Sequence, residues 1–163
     1  MSASPFSILT NTATNDLHPH ESFSEAAGLE ALLRQTVRGE VRFDAASRAL
    51  YATDASNYRQ VPIGLVVPRS VDDVVAAMAA CRQFGAPVLS RGGGTSLAGQ
   101  CCNVAVVLDF SKYLHNIVAL DPAAQMARVE PGIVLDALRF EAEKHDLTSV
   151  SYTHLTLPTI YSV

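Results

Sequence analysis

Residues Arg91–Gln100 read RGGGTSLAGQ, and this stretch holds four of the chain's nine glycines: Gly92, Gly93, Gly94 and Gly99. A routine turn needs one or two glycines. Three in a row allow positive φ and carry no Cβ, so successive backbone N–H groups can converge on one anion. Thr95 and Ser96 add short hydroxyl donors beside those amides, and Arg91 brings a positive charge to the loop entrance. Such a nest suits a phosphate or diphosphate at a sheet edge; the bland alternative is a glycine-rich connection that holds no ligand. The dinucleotide fingerprint G-x-G-x-x-G fails, because the residue three after Gly94 is Leu97. A phosphate-loop NTPase would need Lys and Ser/Thr after G-x-x-x-x-G, where Gln100 and Cys101 stand, so triphosphate hydrolysis is disfavoured. A diphosphate bound without metal fits better.

The flanks tell how the loop is presented. Gly64–Pro68 (GLVVP) reads as a buried strand. Ser70, with Asp73 three residues on, reads as a capping box opening a helix in which Val71, Val74, Val75, Met78 and Ala79 recur at helical spacing and Gly85 is the stop. Asp72 and Asp73 suit the positive end of that helix. Ala86–Ser90 (APVLS) is the next strand, so one βαβ unit runs into the glycine loop. Val104–Phe110 (VAVVLDF) is a further strand. Ile117–Leu120 and Met126–Glu130 are two more, separated by the turn Asp121–Ala124, and Pro131–Gly132 breaks the second of them. A helix follows over Val134–His145, with Leu135, Leu138 and Ala142 on one face. Upstream, Leu29, Leu32, Leu33 and Val37 mark an amphipathic helix ending near Gly39, and Val41–Arg59 carries no clear period. The expected class is an α+β (α/β) domain with mixed strands.

The 163 residues are 48% hydrophobic with a net charge of −4, which fits a globular domain and argues against a general nucleic-acid binder. No apolar run approaches the roughly 18 residues of a membrane span. Residues 1–22 form a polar arm without the features of a secretory signal, and His18 and His20 in it have no partner cluster for a metal. Cys81, Cys101 and Cys102 make neither a disulfide framework nor a CxxC pair, which points to a reducing, cytoplasmic setting, with peripheral attachment to the inner face of a membrane left open. His115 reads as a turn residue. From Val150 the text changes: Val150–Thr159 resembles a translated transposase-type sequencing adapter. Residues 149–163 are therefore expected to be foreign to the fold, with the natural coding sequence continuing past Thr148, and Tyr152, Thr153 and His154 receive no role. Residues 23–148 are the expected domain.

The motifs DASNYR (Asp54–Arg59), VVPRSVDDV (Val66–Val74), RGGGTSLAGQ, VVLDFSKYL (Val106–Leu114) and VEPGIVL (Val129–Leu135) occur in one order. In that order and spacing they resemble the FAD-linked oxidases of the vanillyl-alcohol oxidase and p-cresol methylhydroxylase fold. The nearest branch is the D-lactate, glycolate and D-2-hydroxyglutarate dehydrogenases, and the resemblance covers roughly residues 41–148. It implies a p-cresol methylhydroxylase-type FAD-binding domain whose first subdomain is complete and whose second is truncated. It also implies FAD between the two, with Arg91, Gly92, Gly93, Gly94, Thr95, Ser96, Leu97 and Gly99 at the diphosphate and Pro131 and Gly132 approaching the flavin. A simple strand-to-helix turn explains Pro131–Gly132 equally well. Members that attach flavin covalently through this loop carry histidine where Thr95 stands, so FAD is expected to be non-covalent. The parent would oxidise a small 2-hydroxy acid and pass electrons to a quinone, a cytochrome, an electron-transfer flavoprotein or a fused iron–sulfur domain. The resemblance assigns no catalytic base within this chain. Two other readings stay open: a flavin reductase of the enolpyruvyl-UDP-sugar type, and a non-catalytic nucleotide-binding module. Asp54, Ser56 and Tyr58 are given a structural or cofactor-proximal place only.

Overall fold

The structure, a computed structural model, describes residues 23–149; the expected N-terminal arm and almost all of the expected foreign tail lie outside them. Four strands form one sheet in the order β1-β2-β4-β3: β1 (Glu40–Arg42), β2 (Gly64–Val67), β3 (Val88–Arg91) and β4 (Val106–Asp109). β1 runs antiparallel to β2, while β2 and β3 both run parallel to β4. The expected βαβ unit is present with one difference. β4 sits between its two strands, because the chain returns through the glycine loop to fill the gap that α3 crosses. β2 and β4 are buried throughout, as continuous runs of Val and Leu covered on both faces require.

α1 (Ala26–Thr36) and α3 (Val71–Gln83) pack together over the sheet, joining Leu29, Leu33, Ala77, Ala80 and Cys81 to Val66, Val106 and Leu108 in one core. The expected α3 face needs correction. Val71, Val75 and Met78 are 69%, 62% and 48% exposed, and the buried line is Asp73, Ala77, Ala80 and Cys81. The small side chains on this line leave room for the leucines of α1, so shape complementarity chose it over hydrophobicity. Gly85 closes the helix with φ 63°.

Ser70 caps α3 as expected, its Oγ accepting the Asp73 N–H at 3.2 Å. Asp73 does not complete the box. Its buried carboxylate accepts the N–H groups of Arg38 at 2.9 Å and Arg69 at 2.8 Å, tying the end of α1 to the start of α3. The segment that lacked a period, Val41–Arg59, contains the end of β1 and the short helix α2 (Ala45–Leu50). Asp44 caps α2 by accepting the Ser47 N–H at 2.8 Å. A three-residue strand and a six-residue helix are too short to show periodicity.

At the start of β1, Glu40 pairs with Arg42 and Lys112 and accepts the Tyr113 hydroxyl at 2.7 Å. The Lys112 ammonium first, then Tyr113 and Arg42, hold this carboxyl down at about 2, against an ordinary 4.5. A depressed carboxylate contributes stability that is full above its unfolded value and is lost as pH falls through its folded one. Glu40→Gln should therefore flatten the loss of stability between about pH 4.5 and about pH 2. Denaturant midpoints across that range check it, and an unchanged acid limb would refute it.

β5 (Ile117–Asp121) and β6 (Met126–Val129) form a separate antiparallel hairpin, followed by α4 (Leu135–Glu143). Its turn is set by Asp121, which accepts the Ala124 N–H at 3.0 Å, and by Gln125 at φ 54°. The carboxylate of Glu130 clamps the far end, accepting both the N–H and the side-chain amide of Asn116. The expected α4 face holds, with Ala142 buried and Leu135 and Leu138 half-buried.

Candidate functional site

The glycine loop leaves the C-terminal end of β3, on the sheet edge where the parallel strands β2 and β4 also end. Open α/β sheets place ligands at that edge. Arg91 is the last residue of β3, and its guanidinium turns under the loop. It donates to the carbonyls of Cys101 and Thr53, both at 2.9 Å, and more weakly to that of Tyr51 at 3.4 Å. It also stacks on the Tyr51 ring, 5.0 Å from the centroid. Arg91 thus fastens both ends of the loop to the segment that precedes β2. Gly94 at φ 67° passes directly over this guanidinium, where a Cβ would lie 2.5 Å from Nη2.

The DASNYR segment supplies the rest of the support. The Ala55 N–H donates to the Gly94 carbonyl at 3.0 Å, and the Asp54 carboxylate accepts the Cys101 N–H at 3.1 Å. Asp54 also receives the Ser56 N–H and hydroxyl, bonds that keep its pKa below the usual carboxylate range. The Tyr58 ring lies against Gly99, which adopts φ 78°; a Cβ there would be 2.7 Å from Cδ2. Beneath Arg91, the Tyr51 hydroxyl donates to the buried Asp109 at 2.5 Å. Burial, then this bond to a carboxylate, pushes the Tyr51 phenol up to about 12.

With the loop held from below, its amides are left over. Ala98, Cys101 and Cys102 donate within the loop or to Asp54. Among the described residues, the N–H groups of Gly92, Gly93, Gly94, Thr95, Ser96 and Leu97 have no hydrogen-bond acceptor. Six consecutive amides on this half-exposed loop thus have no protein acceptor among the described residues, an arrangement that leaves them free to face one anion. The Ser96 hydroxyl shares a 3.0 Å contact with the Cys101 thiol, and the Thr95 side chain is exposed.

Pro131 and Gly132 come to the same place from the other side. Gly132 is buried against the end of β4 and donates its N–H to the Leu114 carbonyl at 2.8 Å. Pro131 O lies 3.9 Å from where a Cβ on Gly92 would stand. Two segments forty residues apart in the expected site are therefore neighbours. Tyr51, Asp54, Ala55 and Asp109 also belong to the site's framework. Tyr51 had no signal in spacing or composition, whereas Asp54, Ala55 and Asp109 lay in motifs visible only by resemblance. His115 is exposed. A separate apolar groove of about 420 Å³ lies between β5 and α4, lined by Ile117, Leu120, Ile133 and Phe140, and includes none of the glycine-loop residues. Among the described residues no cluster of His, Cys, Asp and Glu is suited to a metal ion, and no helix is long and apolar enough to cross a membrane.

A mixed α+β domain with a glycine loop at the C-terminal edge of its parallel strands has that loop where open α/β sheets bind nucleotides. The chain belongs to the FAD-binding domain family, which it matches over residues 62–157, the last of them beyond the described structure. It is 36% identical over 122 residues to the D-2-hydroxyglutarate dehydrogenase of Pseudomonas putida, covering 73% of this chain and 12% of that protein. It is 33% identical over 109 residues to the glycolate oxidase subunit GlcD of Bacillus subtilis, covering 63% of this chain and 23% of the relative. The fold is also that of p-cresol methylhydroxylase with substrate bound: TM-score 0.60 at 18% identity, over 76% of this chain and 25% of that one. The chain thus spans about an eighth to a quarter of the length of these proteins. Its fold is the p-cresol methylhydroxylase type expected from the motifs, and FAD is the cofactor of its family.

Proposed function

We propose that this chain is the N-terminal part of the FAD-binding domain of a 2-hydroxy-acid dehydrogenase of the D-2-hydroxyglutarate, glycolate or D-lactate type. The amides of Gly92–Leu97 and Gly99, with the hydroxyls of Thr95 and Ser96, would hold the FAD diphosphate. Arg91 would set the loop's shape and lend it positive charge, and Pro131–Gly132 would close on the flavin from the second subdomain. The observation that carries this reading is the run of six unpaired amides above the Arg91 strut. A cradle of neutral donors and one guanidinium fits a diphosphate without demanding a metal. Bound there, FAD supplies two-electron acceptance from a C–H bond, and the protein's share is placement and electrostatics. Thr95 offers a hydroxyl and no imidazole to the flavin, which favours non-covalent attachment. A hydroxy-acid substrate follows from the names of the relatives. The acceptor would be a quinone, a cytochrome, an electron-transfer flavoprotein or a fused iron–sulfur domain.

Two measurements test the proposal. FAD added to the chain should shift the amide resonances of Gly92–Leu97 selectively, and acid precipitation should release all flavin into solution. A protein extended to the length of the relatives should purify yellow and bleach anaerobically with a D-2-hydroxy acid. Bleaching by NADPH alone would overturn the dehydrogenase reading, and undisturbed loop amides would overturn the cradle.

A further inference from the structure

Two large side chains at the Gly99 end of the loop stay open to solvent, Tyr58 at 62% and Leu97 at 81% exposure. The hydrogen bonds that brace the loop come from Arg91, Asp54 and Ala55. Tyr58 is nonetheless held firmly. Its N–H donates to Ser56 Oγ at 3.1 Å, its ring rests on Gly99, and the Thr53–Arg59 bridge closes the segment around it. Its hydroxyl has no partner among the described residues. The result is an aromatic ring fixed by the backbone, with much of its surface free. Leu97, which carries the last of the six amides without an acceptor among the described residues, stands two residues before Gly99.

The other end of the cradle is different. There Gly92 lies beside the Pro131 carbonyl, a polar neighbour. A dinucleotide carries a planar ring system on each side of its diphosphate. A diphosphate lying along Gly92–Leu97 would send one ring toward Pro131 and the other toward Tyr58. We infer that Tyr58 and Leu97 form a stacking platform for one planar ring of the bound dinucleotide, the aromatic face supplied by Tyr58 and the apolar edge by Leu97. The inference rests on the diphosphate reading of the loop. With the flavin toward Pro131 the ring at Tyr58 is the adenine, which presents a flat π-face to an aromatic side chain; a flavin there would reverse the orientation given to Pro131–Gly132.

The test uses the chain itself, isotopically labelled, with pyrophosphate, ADP and FMN as separate probes read at the loop amides and the Tyr58 ring protons. Pyrophosphate should shift Gly92–Leu97 only. One of the two ring-bearing probes should bind about ten-fold tighter than pyrophosphate and shift the Tyr58 ring, a gain typical of one stacked base; the probe that does so names the ring. Tyr58→Ala should remove the gain and leave pyrophosphate binding unchanged, Tyr58→Phe should keep it, and Leu97→Ser should reduce it. A gain that survives Tyr58→Ala, or no gain for either probe, overturns the platform. If pyrophosphate has no effect while a ring probe still binds through Tyr58, the platform stands and the diphosphate reading falls. If no probe shifts any signal, both fall. Because both side chains are exposed, melting temperatures of the variants should match the parent, which separates lost binding from lost fold.

Discussion

Gly94→Val should abolish measurable FAD binding and lower the stability of the domain by about 3 kcal/mol, the sum of two costs acting at one position. The first is backbone. Gly94 sits at φ 67°, a region that costs a side-chain-bearing residue about 1–2 kcal/mol, and more for a β-branched one. The second is the collision of the new Cβ with the Arg91 guanidinium, 2.5 Å away. Arg91 cannot move aside and still bond the carbonyls of Thr53 and Cys101, so the loop loses its support as well as its curvature. Gly93→Ala is the control. Gly93 is not at positive φ, and the nearest atom to its added Cβ is Thr95 Cγ2 at 3.6 Å, so the melting temperature should barely change. Thermal melts with FAD titrations of both variants decide the matter. Equal FAD affinity in Gly94→Val and the parent would show that the loop's shape is irrelevant to binding.

Gly132→Ala should be at least as damaging, at about 3–4 kcal/mol, for a different reason. Its added Cβ falls on the Phe110 carbonyl and within 2.7 Å of the Leu114 carbonyl. Both are backbone atoms, and the Leu114 oxygen is already engaged by the Gly132 N–H at 2.8 Å. No side-chain rotation relieves the clash. The hairpin of β5 and β6, with α4, should therefore loosen from the end of β4, carrying Pro131 away from Gly92. Hydrogen exchange should show β5 and β6 losing protection while β2 and β4 keep theirs. Gly85→Ala provides the comparison. It has positive φ but open space, and should cost only about 1 kcal/mol. Equal melting temperatures for Gly132→Ala and the parent would mean that the close approach is not a structural joint.

Much of the fold was legible because its signals are local. The buried run Gly64–Val67, the cap at Ser70, the helix stop at Gly85 and the hairpin turn after Asp121 each depend on a few consecutive residues. Where the signal was short or ambiguous, the reading failed. β1 and α2 are brief, and the face of α3 was assigned to its valines although its alanines are the buried residues. Asp73 illustrates the same limit. Its place in the first helical turn was sufficient reason for it in the sequence, but its carboxylate spends both oxygens on Arg38 and Arg69.

The loop divides in the same way. The resemblance of the neighbouring motifs pointed to FAD, and the glycines were enough, from sequence alone, to offer Arg91–Gln100 as a loop able to meet a diphosphate. That is so because glycine's conformational freedom belongs to the residue itself. Only the tertiary structure decided that the Arg91 guanidinium turns inward onto the carbonyls of Tyr51, Thr53 and Cys101, that Asp54 and Ala55 brace the rest of the loop, and that Pro131 lies beside Gly92. These contacts join residues ten to forty-seven positions apart. They form only when β4 enters between β2 and β3 and brings the strand ends to one edge, a pairing that no local period encodes.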